Sequence, residues 1–234
     1  MAAIVMALIG LFLALVLWRF SRRQALRKPL FAPEGPITDW LPLWGFGTSP
    51  LDAETGEPRS KLQAVFEIAT ALYLGALGYQ LGFSLDLLMI ACFSIPLLVI
   101  MLVDFWTRLI HTNVILVGVL LGWVFAMVDG VDELLSSVFG MLIGAGIFIF
   151  FYVLAIVIYR NPKVVPFGLG DVYLAAMIGA MVRVDQIARA LVLGVFLAGI
   201  ILAALLFARV LSRKQAVAYG PYLCLGALLT LYLM

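Results

Sequence analysis

Charged residues are scarce in this chain of 234 residues: only 12% are Asp, Glu, Lys or Arg, while 65% are hydrophobic. A typical soluble globular domain has about 25% charged residues and about 45–50% apolar ones, so this composition excludes that class of protein. A helix that crosses a membrane needs about 20 mostly apolar residues. The composition therefore predicts an integral membrane protein, and nothing in it predicts a nucleic-acid partner.

Cysteine and histidine are almost absent, with two cysteines and one histidine. Cys92 and Cys224 lie in separate apolar runs, and two thiolates are too few for a tetrahedral zinc site built from cysteine. We therefore predict no metal site and assign both cysteines to packing. His111 lies in a short polar loop, where a lone histidine is more often a hydrogen-bonding or surface residue than a general base.

Eight apolar runs divide the chain, and they predict an all-α, polytopic membrane protein with about eight transmembrane helices and one larger cytoplasmic loop. The first run lacks basic residues before it and a cleavage site after it, so we interpret it as a retained anchor. The sixth is short and predicts a helix that begins inside the protein. The runs cover residues 3–18, 63–83, 86–103, 113–128, 134–158, 171–182, 187–208 and 216–234.

The basic residues predict the orientation, because cytoplasmic loops are enriched in Lys and Arg. Five of them between residues 19 and 28 place that segment inside and the amino terminus outside. Threading eight helices from this start leaves only Arg183 and Arg189 outside.

One long polar segment, residues 19–62, separates the anchor, residues 1–18, from a membrane domain, residues 63–234. Its six prolines exclude a long helix. An apolar cluster within it nevertheless predicts an ordered loop, compact or lying against the membrane. The cluster consists of Trp40, Leu41, Leu43, Trp44 and Phe46.

Two acidic residues lie at the ends of apolar runs. Asp171 begins the sixth run directly after Gly168-Leu169-Gly170, and Asp104 ends the third. Ionisable residues at membrane depth are rare and are candidates for function, while the glycines allow a sharp turn or a close backbone approach. An even number of crossings separates the two acids, so both are predicted at the cytoplasmic face.

Two carboxylates a few ångströms apart cannot both ionise easily, so such a pair shares a proton. One member can then act as a base toward water and the other as an acid toward a carbonyl, as in an aspartic protease. A simpler interpretation stays open: Asp104 pairs with Arg108 or caps a turn, and Asp171 caps its helix.

A wider pattern then indicates a family. Asp104, Arg108, Ile110 and Asn113 are followed by Gly168-Leu169-Gly170-Asp171-Val172, and later by Gly220-Pro221-Tyr222-Leu223 with Gly226. In this order the motifs resemble those of the type IV prepilin peptidases, the membrane aspartic proteases of the GxGD class. The resemblance extends over nearly the whole chain.

This resemblance implies that Asp104 and Asp171 are catalytic. It implies cleavage of the basic leader from prepilins or pseudopilins of type IV pilus or type II secretion systems. The site would face the cytoplasm from the inner membrane, with lipid around the protein. Gly168, Gly170, Arg108 and Asn113 are expected to support the active-site loop.

Glu67 in the second helix is expected to be structural or to face the substrate, since acids buried in membranes tend to be functional. Tyr219 and Tyr222 are equally typical of an aromatic belt at the membrane interface.

Many bacterial members of the family also methylate the new amino terminus with S-adenosylmethionine, and these usually carry two Cys-x2-Cys pairs in the first loop. Residues 19–62 contain no cysteine, which excludes a structural zinc there and leaves methylation and S-adenosylmethionine binding open. The peptidase reaction itself is expected to need no cofactor.

Two other functions are compatible with parts of the pattern. A proton-coupled or cation-coupled transporter would use Asp104 and Asp171 as an ion path, but such sites are expected near the midplane of the membrane rather than at one face. A non-catalytic scaffold for pilus or secretion assembly would retain the fold, although both presumed catalytic acids are intact.

Overall fold

The computed structural model describes residues 1–25, 61–159, 168–209 and 218–234. Over these ranges the chain is helical and contains no strand, so the predicted all-α class is confirmed. The helices are α1 (Ala2–Ala25), α2 (Lys61–Leu81), α3 (Leu85–Thr107), α4 (Thr112–Asp129), α5 (Val131–Tyr159), α6 (Leu169–Phe207) and α7 (Gly220–Tyr232).

Helices α1 to α6 are each long and apolar enough to cross a membrane, while α7 is apolar but has only 13 residues. The polytopic membrane class is therefore confirmed. Helix α1 runs to Ala25, beyond the predicted end of the anchor, and α2 begins at Lys61. The apolar cluster predicted around Trp40 lies outside the described residues.

Two compact units make up the chain, residues 1–91 and 92–234, with α3 contributing to both. In the first unit, α1 packs on α2 through small residues. A Cβ on Gly10 would lie 2.8 Å from Cα of Ala71, and one on Gly78 would lie 2.9 Å from the carbonyl oxygen of Ala2. Such small residues allow the close backbone approach that stabilises helix pairs in lipid.

In the second unit, α6 reverses direction at Arg183. Its backbone there has φ 63° and ψ −178°, which is not helical. A Cβ on Gly144 of α5 would contact both Ala175 and Ile187, although 12 residues would place these about 18 Å apart on a straight helix. The chain must therefore fold back, and α6 consists of a first half (residues 169–182) and a second half (residues 184–207).

This reversal accounts for the eight runs in the sequence. The predicted sixth and seventh helices correspond to the two halves of α6, and the short polar segment that separates them begins at Arg183. The first half has 14 residues, in agreement with the prediction that the sixth helix is short.

Close packing with α5 holds the first half of α6. A Cβ on Gly179 would overlap the carbonyl oxygen of Gly140, and one on Gly140 would overlap that of Gly179. Ser137 Oγ of α5 donates a 2.6 Å hydrogen bond to the carbonyl of Ala180. Glycine is required here because two backbones occupy the space that any side chain would need.

At the turn of α6, Arg183 forms ion pairs with Asp129, the last residue of α4, and with Glu133 in the first turn of α5. The arginine Nη1 lies 2.7 Å from Glu133 Oε2. Since Asp171 is 12 residues away on the first half of α6, these ion pairs lie at the opposite end of that helix from Asp171. We refer to Arg183, Asp129 and Glu133 as the ion-pair end.

Candidate active site

Asp104 lies in the last turn of α3 and is only 4% exposed. The helix ends three residues later, at Thr107, because Arg108 adopts a left-handed conformation with φ 55°, a common way to close a helix. The Arg108 amide donates a 2.9 Å hydrogen bond to the Asp104 carbonyl. The Leu109 amide donates to Thr107 Oγ1 at 3.2 Å, so the chain turns sharply just beyond the acid.

Asp171 lies in the first turn of α6 and is 9% exposed. Its Oδ2 accepts a 2.9 Å hydrogen bond from the amide of Gly168, the residue that precedes the helix. The Asp171 amide in turn donates to the Gly168 carbonyl at 3.1 Å. The carboxylate therefore accepts a hydrogen bond from one of the amides left open at the helix start. Asp171 thus contributes to the cap as predicted, but as the third residue of the helix rather than as the residue that precedes it.

The two glycines before Asp171 contribute differently to the site. A Cβ on Gly170 would lie 3.2 Å from Cβ of Ile110, so this glycine lets the start of α6 approach the segment that follows Asp104. Gly168 has φ −93°, and a Cβ on it would make only ordinary contacts. Any residue can adopt that backbone, so Gly168 does not provide the sharp turn expected of it, and its contribution is the amide donated to Asp171.

The two carboxylates interact with each other. The charge of Asp171 acts on Asp104, and the charge of Arg108 also reaches it. Among the residues that the structure describes, neither Asp104 nor Asp171 forms an ion pair. Two buried acids whose charges reach each other resist being ionised at the same time, so the pair tends to keep a proton.

The start of α7 also reaches this site. A Cβ on Gly220 would lie 2.5 Å from Asp104 Oδ2, and the Gly220 amide faces the same carboxylate. Burial and then the charge of Asp171 raise the pKa of the Tyr219 phenol, which indicates that this side chain is near the second acid. We call Asp104, Asp171 and Gly220 together the dyad end.

The contribution of Gly220 was not recognised as part of the site from sequence, where Gly220-Pro221-Tyr222 only supported the family resemblance. A signal for it was present, because a proline in the first turn marks a helix start and a glycine next to it permits close approach. What sequence alone lacks is the identity of the side chain that approaches, since Asp104 is more than a hundred residues away.

The remaining predicted residues are more dispersed. Asn113 is exposed in the first turn of α4, and His111 is exposed just before it. Glu67 lies in the first unit, 1% exposed, where its Oε1 accepts a 2.8 Å hydrogen bond from Gln63 Nε2. The structure therefore brings Asp104, Asp171 and their immediate neighbours together, whereas the roles predicted for Asn113 and Glu67 stay predictions.

Both cysteines are free thiols, with Cys224 fully buried and Cys92 partly buried. The Cys224 thiol lies within range of the charges of Asp104 and Asp171, so it packs beside the dyad end. Within the described ranges, no group of three or more His, Cys, Asp or Glu side chains could hold a metal ion.

Comparison with known proteins adds one match. Residues 87–208 match the model of the type IV leader peptidase family, a region of just over half the chain that contains α4, α5, α6 and almost all of α3. Both Asp104 and Asp171 lie inside the match and Gly220 lies beyond it. No curated protein and no solved structure matches the chain.

Proposed function

The chain belongs to the type IV leader peptidase family, and from that premise we propose that it is an aspartic endopeptidase with Asp104 and Asp171 as its catalytic acids. The proposed substrates are prepilins or pseudopilins, each with a basic leader followed by an apolar helix. The proposed cleavage site is at the cytoplasmic face of the inner membrane.

One observation supports the aspartic class above all others: two buried carboxylates interact at the ends of α3 and α6, and no described cation forms an ion pair with either. Charged groups in membrane proteins usually pair with one another or with backbone groups. Two acids left to interact with each other are costly for stability, and such sites are where function is expected.

The proposed reaction uses one proton shared between the acids. The ionised carboxylate removes a proton from a water molecule, whose oxygen attacks the carbonyl carbon of the scissile peptide, while the protonated acid donates to the carbonyl oxygen. Collapse of the tetrahedral intermediate breaks the C–N bond: the carboxyl group that took the proton from water gives it to the leaving nitrogen, while the other, now ionised, takes a proton back from a hydroxyl of the intermediate. The pair ends with the one proton with which it began.

The surface beside the acids supports a substrate with an apolar segment. Phe105 and Trp106 follow Asp104, Leu109 follows the end of α3, and Leu169 precedes Asp171. All four are exposed. An apolar surface directly next to a hydrolytic pair suits a peptide bond that lies at the end of a hydrophobic helix.

The deciding experiment measures leader cleavage by Asp104→Asn and Asp171→Asn. An amide is nearly isosteric with a carboxylate but cannot transfer the proton, so we expect each variant to lose on the order of 10²–10⁴ in kcat. Asp185→Asn is the matched control, because Asp185 is exposed and lies two residues from the turn of α6 at Arg183. Size-exclusion chromatography and thermal unfolding verify that each variant is folded.

Full cleavage by either dyad variant would remove that acid from the mechanism. Absence of cleavage by the wild-type protein, with an intact precursor and folded enzyme, would favour the scaffold or the transporter. The transporter makes a further distinct prediction, a proton or cation flux in liposomes that Asp104→Asn abolishes.

The proposed orientation is tested separately by labelling single cysteines in whole cells. Cysteines at positions 106–111 should be labelled only after the membrane is permeabilised, and cysteines at Asp132 and Asp185 should be labelled from outside. The reverse pattern would place the proposed active site on the outer face.

A further inference from the structure

Helix α7 begins against Asp104. The ideal Cβ position of Gly220 lies 2.5 Å from Asp104 Oδ2 and 3.1 Å from its Cγ, distances that no real side chain tolerates against a fixed carboxylate. Gly220 itself is buried in the first turn of α7. The absence of a side chain at this position is therefore a condition for the present placement of Asp104.

The same carboxylate is left with an unsatisfied oxygen. Asp104 Oδ2 is buried, and among the described residues no donor reaches it with full hydrogen-bond geometry, although the Gly220 amide faces the carboxyl group. The first amides of a helix have no partner within it and carry a partial positive charge. The start of α7 thus places a positive dipole at a carboxylate that has open acceptor capacity.

We propose that Gly220 is a positioning residue for Asp104, and that the start of α7 is a third element of the active site beside the ends of α3 and α6. This inference rests on the proposed peptidase function. The Gly220 amide holds the Asp104 carboxyl group toward Asp171 and stabilises its negative charge. Because Gly220 has no side chain, the Asp104 carboxyl group can occupy the space that a Cβ would fill.

Neighbouring residues make this start rigid. Pro221 follows Gly220 directly and has a backbone preset for a helical first turn. The Tyr219 carbonyl accepts hydrogen bonds from the amides of Tyr222 at 3.2 Å and Leu223 at 3.3 Å. A rigid helix start can fix a catalytic group to the fraction of an ångström that proton transfer requires.

Tyr219 extends the contact to the second acid. Its phenol is half-buried, its ring packs edge-on against Tyr222 with centroids 6.4 Å apart, and Asp171 acts on it electrostatically. Consecutive residues at the start of α7 thus serve both members of the pair, Tyr219 beside Asp171 and Gly220 beside Asp104. Among the residues that the structure describes, the other titratable or charged groups near Asp104 are Asp171, Arg108 and Cys224.

The principal test compares Gly220→Ala with Gly226→Ala. Both substitutions push α7 away from a neighbour, but the atoms nearest to a Cβ on Gly226 belong to Gly194 and Ala190 of α6, whereas those nearest to a Cβ on Gly220 belong to Asp104. We expect Gly220→Ala to lower kcat at least about 100-fold. It should also move the acidic limb of the pH–kcat profile upward by roughly one pH unit, because the Gly220 amide and the positive end of α7 would no longer stabilise the Asp104 carboxylate. Gly226→Ala should lower thermal stability and leave the profile where it is.

Two more conservative substitutions test the proposal if Gly220→Ala does not fold. Tyr219→Phe removes only the phenol oxygen beside Asp171, and Tyr222→Phe removes the same atom from the ring that packs on it. We expect Tyr219→Phe to lower kcat roughly threefold to tenfold and to displace one limb of the profile. Tyr222→Phe should leave both quantities as in the wild type.

The outcomes separate this inference from the function on which it rests. If the wild type cleaves and Asp104→Asn does not, the peptidase proposal stands whatever α7 does. The positioning proposal is overturned if Gly220→Ala keeps the wild-type profile, or if Gly226→Ala shifts it equally. Where Gly220→Ala is unfolded, a wild-type profile for Tyr219→Phe overturns it.

Discussion

The two ends of the first half of α6 contain the same kinds of residue in opposite arrangements. At the ion-pair end, Asp129 and Glu133 are both paired with Arg183. At the dyad end, Asp104 and Asp171 interact with each other, and no ion pair joins either of them to a described residue. The 14-residue helix between the two ends is held to α5 by glycine contacts.

The difference separates acids that support the fold from acids suited to chemistry. Paired carboxylates at a partly exposed turn satisfy their charges locally and contribute modestly to stability. Two buried acids whose charges reach each other reduce stability and resist full ionisation. Substitutions at the two ends should therefore affect different quantities, and the following variants test that separation.

The largest effect on stability is expected from substitutions in the α5–α6 contact, which lies between the two ends. Gly140→Ala and Gly179→Ala each place a methyl group against a backbone carbonyl across the α5–α6 contact, which should destabilise the protein by about 1–3 kcal/mol and lower cleavage as well. Gly146→Ala and Gly199→Ala are matched controls, since within the described ranges no atom beyond the local backbone of the same helix lies within 4 Å of either Cβ position. Thermal unfolding in detergent checks the order, which equal melting temperatures for both pairs would contradict.

A smaller effect is expected at the ion-pair end. The double variant Asp129→Asn, Glu133→Gln should lose about 1 kcal/mol of stability, because both acids are more than a third exposed and water screens their pairing. Its kcat per folded molecule should stay within about twofold of the wild type. A large fall in kcat without a loss of stability would place catalytic function at this end too.

Relief of backbone strain at Arg183 should stabilise the protein by a comparable amount. A non-glycine residue at φ 63°, ψ −178° occupies a region that only glycine adopts readily, at a cost of about 1–3 kcal/mol. Arg183→Gly and Arg183→Gln both remove the ion pairs, but only the first relieves the strain. We expect the Gly variant to be the more stable by about 1 kcal/mol, as measured by thermal unfolding, and the reverse order would show that no strain is stored there.

Removal of metal ions is expected to have no effect on activity. Since residues 19–62 contain no cysteine, strong chelators should leave leader cleavage unchanged, and a loss that added zinc restores would contradict this. The same reactions, supplied with labelled S-adenosylmethionine, test the second activity. Label on the new amino terminus would establish methylation, and cleavage without label would indicate a peptidase alone.

Much of this architecture was accessible from sequence because it depends on local patterns. The apolar runs predicted the helices, and the polar break around Arg183 predicted the reversal within α6, since a charged residue between two apolar runs marks a turn at the membrane surface. The motif around Asp171 predicted a helix start with a carboxylate at it. These features involve residues close together in the chain.

Contacts between distant segments were less accessible. The approach of Gly220 to Asp104 and of Gly170 to Ile110 depends on how helices pack, which no local pattern encodes. Gly168 shows the converse error: a glycine in a motif suggested a turn, yet its backbone is ordinary. The ion pairs of Arg183 were missed because orientation rules count basic residues without assigning them partners.

Within the described part of the chain, the two shortest helical segments both begin at the dyad end. The first half of α6 and the 13-residue α7 are each about 20 Å long, whereas the hydrocarbon core of a bilayer is about 30 Å thick. Such hydrophobic mismatch is relieved by a thinner bilayer or by polar groups that reach in from the interface. We therefore expect the bilayer to be thinner around these two segments, which would bring water to the acids at the dyad end.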